Sequence, residues 1–129
     1  MFVLDSDHCV AILRGRLDLG EHIGPADPLG VTAITAGELI HGARRSARPE
    51  RNLRAVHELL ELLQVLPFGR AAAEQFGEIK ASLEARGTPL PDLDLLIAST
   101  VLAEGGVLVT HNSRHFRGIP GLTTADWLR

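Results

Sequence analysis

The sequence predicts an α/β fold in which a mostly parallel central sheet lies between two layers of helices. Short apolar runs without polar alternation, such as residues 2–4 and 107–110, are typical of strands that are covered on both faces. Segments with helical periodicity separate these runs, and strands that alternate with helices favour a parallel sheet. We therefore expect a three-layer α/β/α sandwich whose strands are joined by right-handed crossovers.

The predicted elements occupy most of the chain. The first part contains a strand at 2–4, a helix at 8–14, a short helix or turn at 16–24, a loop at 24–30, a strand at 31–34, a helix at 35–47, a helix at 49–64 and a strand at 65–68. The second part contains a helix at 70–86, a turn at 87–91, a helix at 92–104, a strand at 107–110, a loop or helical turn at 111–116 and a closing segment at 124–128.

Three local signals refine these elements. Thr35 and Glu38 have the spacing of a capping box, so the helix at 35–47 is expected to begin at Thr35. Pro67 has no amide hydrogen, so its strand is expected at an edge of the sheet or at a strand end. The helix at 92–104 is almost entirely apolar after its acidic start, which predicts that it is buried against the sheet.

Size and composition limit the classes of protein. With 129 residues, of which 45% are hydrophobic, the chain is expected to form a single domain over 1–129. The net charge of −3 argues against broad, unspecific affinity for nucleic acid but allows a local basic site. The single cysteine, Cys9, has no partner for an intrachain disulfide. The sequence shows no leader peptide and no membrane-spanning run, so we expect a cytoplasmic protein without a membrane partner.

Acidic residues follow the predicted strands or begin the predicted helices at five positions. Ligands of open α/β sheets bind outside the carboxyl ends of the strands, so these acids are expected to meet at one edge. Carboxylates that converge in a crevice repel one another unless a cation lies between them. Oxygen ligands without a cysteine cluster suit Mg²⁺ or Mn²⁺ better than Zn²⁺. The five acids are Asp5, Asp7, Glu38, Asp92 and Asp94.

A structural explanation of the same acids stays open from the residues alone. Each acid also suits a helix cap or the first turn of a helix, where a negative charge complements the helix dipole. Two details favour the metal site. Asp94 interrupts an apolar helix one turn before Ala98 and Ser99, and residues 110–112 add oxygen ligands at the end of a strand.

Four segments together resemble the PIN-domain ribonucleases of the VapC toxin family, and the resemblance extends over essentially the whole chain. LDSD at 4–7 resembles the family's first strand and first aspartate. ITAGELIHGA at 34–43 is similar to its I-T-x-x-E-L-x-x-G segment, and LPDLDLLIAST at 90–100 resembles its D-x-L-I-A-A helix. GVLVTHNSRHFRGIPGLTTADW at 106–127 resembles its last strand, its T-x-[DN]-x-x-x-F turn and its closing G-L-x-x-x-D-W.

This resemblance implies which residues form the active site. Asp5, Glu38 and Asp94 take the positions of the family's metal-binding acids, and the expected cofactor is Mg²⁺ or Mn²⁺. Asn112 stands where many PIN domains have a fourth acid, as in some VapC-like toxins. A neutral amide attracts Mg²⁺ less than a carboxylate does, so Asn112 leaves a second metal ion in doubt.

The resemblance also implies the immediate neighbours of the site. Ser6 and Thr110 match hydroxyl groups that the family uses around its metal-binding acids. Asp7 and Asp92 are the two acids most easily confused with the ligands, because each lies two residues from one of them.

The implied function is that of an endoribonuclease that forms the toxin half of a toxin–antitoxin pair. A metal-bound water would attack an RNA phosphodiester in line and leave a 3′-hydroxyl. The expected protein partner is a small antitoxin whose chain occupies the acidic crevice. A homodimer is expected as well, because stretches 50–63 and 70–86 carry more apolar residues than one small sheet covers.

Two other functions stay open. An aspartate pair after a strand is also typical of haloacid dehalogenase-type phosphatases, with Asp5 as nucleophile and Asp7 as acid–base. That family continues with Gly-Thr, whereas this chain has His8 and Cys9. The second alternative is a PIN-like fold kept only as a binding module, but a binding role needs no complete set of three acids.

Two further groups have both a functional and a structural interpretation. His111 and His115 lie four residues apart, as zinc ligands on a helix do, but no glutamate base lies between them, which favours surface histidines. A basic stretch suits either a solvated helix face, with Glu50 and Glu58 as ion-pair partners, or a track for RNA phosphates. We favour the solvated face, because these side chains cannot all share one face of a helix. The stretch contains Arg44, Arg45, Arg48, Arg51 and Arg54.

Overall fold

The computed structural model describes residues 1–128, and their strands form one five-stranded sheet. The strands lie in the order β3-β2-β1-β4-β5, and every neighbouring pair is parallel. The predicted parallel α/β fold is therefore confirmed. The strands are β1 (Phe2–Leu4), β2 (Leu29–Thr32), β3 (Gln64–Leu66), β4 (Val107–Val109) and β5 (Thr123–Ala125).

Five α-helices cover the two faces of this sheet. They are α1 (Ser6–Leu13), α2 (Ala33–Arg44), α3 (Pro49–Leu62), α4 (Arg70–Ala85) and α5 (Asp92–Glu104), with 3₁₀ turns at Leu19–Glu21 and Ser113–Phe116. Among the described residues, none of the helices is both long enough and apolar enough to cross a membrane.

Strand β1 lies in the centre of the sheet and separates two hydrophobic cores. Val3 and Leu108 face one side of the sheet, where they pack against α4 and α5. Leu4 and Val31 face the other side, where they pack against α1, α2 and α3. All four side chains are fully buried, as expected for strands that are covered on both faces. The residue after Leu4 therefore emerges in the middle of the carboxyl edge of the sheet.

Helix α5 is the buried helix, as its composition predicts. Its bounds agree with the predicted ones, and six of its residues are buried, namely Leu95, Ile97, Ala98, Ser99, Thr100 and Val101. The helix ends at Gly105, whose φ of +66° lies in the left-handed region that favours glycine. A Cβ on the next residue, Gly106, would lie 3.0 Å from the carbonyl oxygen of Met1, so the chain can enter β4 this close to β1 only without a side chain.

The predicted start of α2 is wrong. Strand β2 begins at Leu29 and ends at Thr32, two residues before the predicted strand end, and α2 begins at Ala33. Thr32 is the N-cap, since its Oγ1 accepts a hydrogen bond from the Thr35 N–H at 3.1 Å. Thr35 lies inside the first turn, so the capping box of Thr35 and Glu38 does not exist. The carboxylate of Glu38 is therefore not used as a helix cap and can take part in a functional site.

Smaller differences arise where the sequence signal is short. Helix α1 begins at Ser6 with Asp5 as its N-cap, earlier than the predicted start near His8. Strand β5 is missing from the prediction, because a three-residue strand of Thr123, Thr124 and Ala125 carries no apolar run. Strand β3 does lie at an edge of the sheet and ends at Leu66, directly before Pro67, as the proline predicts.

Candidate active site

Three acidic side chains from different elements approach one another at the carboxyl edge of the sheet. Asp5 follows β1, Glu38 lies in the second turn of α2 and Asp94 lies in the first turn of α5. Glu38 is exposed at its surface, but partial burial of its carboxyl group raises its pKa, and the negative charges of Asp5 and Asp94 raise it further. Burial is also the main cause of the raised pKa of Asp5, to which the charges of Asp7 and Asp94 add. The charges of neighbouring acids therefore influence the ionisation of Asp5 and Glu38, and we call Asp5, Glu38 and Asp94 the acid cluster.

Asp5 is the most buried member of this acid cluster, with 9% of its surface exposed. Its Oδ1 accepts a hydrogen bond from the Ser6 N–H at 2.9 Å, and its Oδ2 accepts one from the Thr110 hydroxyl at 2.8 Å. The Thr110 oxygen accepts the Asn112 N–H at 3.0 Å, so the hydroxyl proton points at Asp5. Both expected neighbours thus contact Asp5, although Ser6 does so through its backbone and not through its hydroxyl.

Asp94 is held by a residue whose role the sequence did not reveal. Its Oδ2 lies 2.7 Å from Nε2 of His115, in the 3₁₀ turn that follows β4. The His115 ring packs edge-on against Phe116, with centroids 5.7 Å apart. No motif marks His115, because it lies 21 positions from Asp94 and only the fold brings the two side chains together.

The two histidines that suggested a zinc pair contact different carboxylates. Nδ1 of His111 lies 2.9 Å from Oδ2 of Asp126, whereas His115 contacts Asp94. They also belong to different local structures, since His111 precedes the 3₁₀ turn that contains His115. The arrangement gives no support to a zinc pair of this kind.

Asp7 lies beside the cluster but serves a structural purpose. Partial burial favours its neutral form, yet hydrogen bonds from the His8 ring at 2.7 Å and the His111 N–H at 2.9 Å outweigh this effect and lower its pKa. The fully buried His8 accepts the Trp127 N–H at its Nε2, so its ring proton lies on Nδ1 and faces Asp7. Asp7 therefore ties α1 to the loop after β4 and, through His8, to the last residues of the described chain.

The two remaining candidates, Asp92 and Asn112, are both exposed. Asp92 pairs with Nζ of Lys80 at 2.9 Å, so it behaves as a surface ion pair. Asn112 takes part in the site through its backbone N–H, which donates to Thr110. Within residues 1–128, its side chain makes no hydrogen bond to the acids.

The donor set fits a hard divalent cation. The three acids offer only carboxylate oxygens, which are the ligands that Mg²⁺ and Mn²⁺ prefer. A cation between them would offset the repulsion that contributes to the raised pKa values of Asp5 and Glu38. Within residues 1–128, no three acidic, histidine or cysteine side chains already stand as a complete ligand set. Binding would therefore require side-chain rotation, for which the exposed Glu38 has room.

Similarity to known proteins establishes the family of this chain. Residues 2–122 match the PIN domain family. The chain belongs to the PIN domain family. It is 37% identical to the tRNA(fMet)-specific endonuclease VapC of Salmonella typhimurium, over 98% of this chain and 97% of that protein. It is 32% identical to ribonuclease VapC2 of Haemophilus influenzae, over 98% of both chains. The expected family is therefore confirmed.

Solved structures of PIN domain proteins show the same fold. The DNA-bound VapBC of Salmonella typhimurium superposes with a TM-score of 0.90 at 36% identity, over 98% of this chain and 97% of that chain. VapBC2 of Rickettsia felis, bound to a DNA fragment from its promoter, gives a TM-score of 0.89 at 28% identity, over 98% of both chains.

A groove opens beside the acid cluster of this PIN domain. It has a volume of about 510 Å³ and runs between α1, α2 and α3. Ser6 and Glu38 line it where it meets the cluster, whereas Ser46 and Asn52 line it near the connection between α2 and α3. Its remaining walls are mostly apolar and include Val10, Leu39 and Val56.

We expect Glu38→Gln to raise the melting temperature of the metal-free protein at neutral pH. Folding raises the pKa of Glu38, so its stabilising contribution is fully present below the unfolded pKa and is lost as pH rises through the folded pKa. Glutamine carries no charge and escapes this loss. The advantage of the variant should therefore grow as pH rises and vanish at acidic pH.

Thermal unfolding in EDTA from about pH 4 to about pH 8 measures this advantage. Glu58→Gln removes the same charge at an exposed position of α3 and serves as the control. An advantage of Glu38→Gln that stays constant with pH, or that Glu58→Gln reproduces, would contradict the repulsion among the acids.

Proposed function

We propose that this chain is a Mg²⁺- or Mn²⁺-dependent endoribonuclease and the toxin of a toxin–antitoxin pair, acting in the cytoplasm as a single PIN-like domain. The observation that carries the proposal is the convergence of Asp5, Glu38 and Asp94 at the carboxyl edge of a PIN fold, with raised pKa values at the first two. Such repulsion disfavours the ionised folded protein and favours binding of a cation. The names of its relatives support RNA as the substrate and tRNA(fMet) as the first RNA to test.

In this proposal Asp5, Glu38 and Asp94 hold the ion, and Asn112 assists from the loop after β4. When bound, the ion supplies a water of lowered pKa and stabilises charge on the phosphodiester. Thr110 orients Asp5 by donating to its Oδ2. His115 orients Asp94 in the same way through its Oδ2. Hydrogen bonds of this kind fix the direction of ligating carboxylates.

The phosphatase alternative gains no support from the geometry. It requires Asp7 to act as a proton donor and acceptor for the reacting group. The two carboxylate oxygens of Asp7 accept from the His8 ring and the His111 N–H, and these bonds lower its pKa. An acid that stays ionised and hydrogen-bonded is a poor general acid near neutral pH.

We expect the purified chain to cleave tRNA(fMet) with Mn²⁺ and to lose this activity in excess EDTA. Glu38→Gln should lower kcat by on the order of 100-fold or more, because a neutral amide replaces a charged ligand, and loss of an outer-shell partner alone costs 10–100-fold. Glu58→Gln, the exposed control on α3, should cleave like the wild type.

Gel assays with end-labelled RNA give both rates. Cleavage that persists undiminished in EDTA would rule out the metal-dependent mechanism. Normal cleavage by Glu38→Gln would remove Glu38 from the ligand set, since the structure leaves it no role as a cap.

We also propose that the antitoxin chain occupies the groove between α1, α2 and α3. The groove meets the acid cluster at Ser6 and Glu38, so a segment that lies in it also covers the catalytic edge. Its apolar walls suit the apolar face of an amphipathic helix from a partner. The structural relatives include VapBC of Salmonella typhimurium, and the VapBC family is one of toxin–antitoxin systems, which supports such a partner.

Gly42→Phe should therefore raise the concentration of cognate antitoxin needed for half-inhibition, measured relative to the variant's own uninhibited RNA cleavage. Gly42 lines the groove, and a Cβ at this position meets no atom within 4 Å, so the fold should accept the new ring. Gly77→Phe is the control, since this helical glycine of α4 is equally open but lies on the other face of the sheet. The measurement is residual cleavage at increasing antitoxin concentration. Half-inhibition of Gly42→Phe at the wild-type antitoxin concentration would place the antitoxin elsewhere.

Only one of the two stretches that suggested a homodimer, 50–63, leaves a large apolar side chain exposed. Among the described residues, α4 presents no exposed large apolar side chain, because α5 covers its apolar face. Leu62 at the end of α3 and Val65 in the edge strand β3 are 78% and 43% exposed. We propose that these two residues lie in the contact between two copies.

Leu62→Glu should then convert a dimer into a monomer in light scattering, because a charge would be buried in an apolar contact. Glu61→Gln, an exposed neighbour, should leave the wild-type mass unchanged. A wild-type protein that is monomeric at high concentration would reject the dimer without affecting the proposed nuclease.

A further inference from the structure

The connection between α2 and α3 carries four exposed arginines, which we call the arginine corner. Among residues 1–128 the only ion pair made by a lysine or arginine is that of Lys80 with Asp92. The guanidinium groups of the corner therefore have no carboxylate partner in the described chain. The corner consists of Arg44 and Arg45 at the end of α2, Arg48 before α3 and Arg51 in its first turn.

The fold removes the objection that these arginines cannot share one helix face. They lie on two helices joined by a turn, and that turn is held by side-chain hydrogen bonds. Nδ2 of Asn52 donates to Oγ of Ser46 at 2.8 Å, and the Ser46 hydroxyl donates to the Ala43 carbonyl at 2.6 Å. The end of α2 and the start of α3 are thereby fixed beside each other, which concentrates positive charge in one place.

The stability of the helices explains only two of the four arginines in the arginine corner. Arg44 and Arg45 lie at the C-terminus of α2, where a positive charge complements the helix dipole. Arg48 occupies the N-cap of α3 without a side-chain cap bond, and Arg51 lies in the first turn, where its positive charge opposes the dipole that the neighbouring Glu50 complements. A sequence selected for helix stability alone would have serine, threonine or aspartate at position 48. Arg48 and Arg51 therefore indicate a function.

We propose that the arginine corner binds the phosphate backbone of the RNA and guides the strand to the acid cluster, an inference that rests on the proposed function. Arg45 lies seven residues after Glu38 on the same helix, which is about 10 Å along its axis. The groove connects the two places, with Glu38 at one end and Ser46 and Asn52 at the other. Guanidinium groups bind phosphates bidentately and position a strand without reading its sequence.

A protein of net charge −3 depends on such a local patch, because its overall field repels RNA. The corner must therefore supply attraction that the remaining surface does not. The same placement explains how a groove-bound antitoxin would interfere with substrate, since it would cover the path between the corner and Glu38.

The test uses fluorescently labelled tRNA(fMet) as the probe and measures its Kd by anisotropy in EDTA, without cleavage. Arg48→Ser and Arg51→Gln should each weaken binding roughly three- to tenfold and reduce the slope of log K against log salt by about 0.7–1. The melting temperature of Arg48→Ser should stay the same or rise, because serine is a good N-cap. This combination of a more stable protein with weaker RNA binding is not expected of a merely structural arginine.

Arg16→Gln is the matched control, since Arg16 is exposed and lines no part of the groove. It should leave the Kd unchanged. An unchanged Kd for both corner variants, or an equal loss for Arg16→Gln, would overturn the proposal. Weaker antitoxin binding with unchanged RNA binding would also overturn it, by assigning the corner to the protein partner. Wild-type protein that binds RNA but never cleaves it would instead contradict the proposed function.

Discussion

The buried carboxylate of Asp5 is the constraint on which the carboxyl edge of the sheet depends. A group that is 9% exposed at the end of the central strand must have hydrogen-bond donors if it is to be ionised. One donor is the Ser6 N–H at the start of α1, and the other is the Thr110 hydroxyl after β4. Because Thr110 also accepts the Asn112 N–H, the ends of β1 and β4 and the following loop are positioned together.

Asp7 shows how a second acid two residues away is kept out of the acid cluster. Its pKa is lowered, whereas that of Asp5 is raised, so the two groups differ in how well their charges are stabilised by the protein itself. His8 and the His111 backbone stabilise the charge of Asp7, and the Trp127 N–H sets the proton of His8 on the side of Asp7. The charge of Asp5 stays less compensated, which suits the cation site that we propose.

The sequence predicts the parts of this molecule that have a periodic or apolar signal. The parallel sheet, the bounds of α5 and the edge position of β3 follow from such signals or from Pro67. The choice of Asp5, Glu38 and Asp94 among five candidate acids rests instead on the resemblance to the PIN-domain ribonucleases. The start of α2 could not be predicted in this way. Thr32 and Thr35 are both suitable N-caps, and Thr32 becomes the cap because β2 pairs with β3 as far as Thr32. The contact of His115 with Asp94 could not be predicted either, because only the tertiary structure brings these two residues together.

The features with a proposed function lie where charges lower the stability of the fold. At the carboxyl edge, like charges and burial raise the pKa values of Asp5 and Glu38. At the start of α3, Arg48 and Arg51 oppose the helix dipole, which Glu50 in the same turn complements. Residues that lower the stability of their own local structure are expected mainly at functional sites. The two places differ in sign, since a metal cation would relieve the first and RNA phosphates would relieve the second. A single substrate strand that spans the groove would contact both.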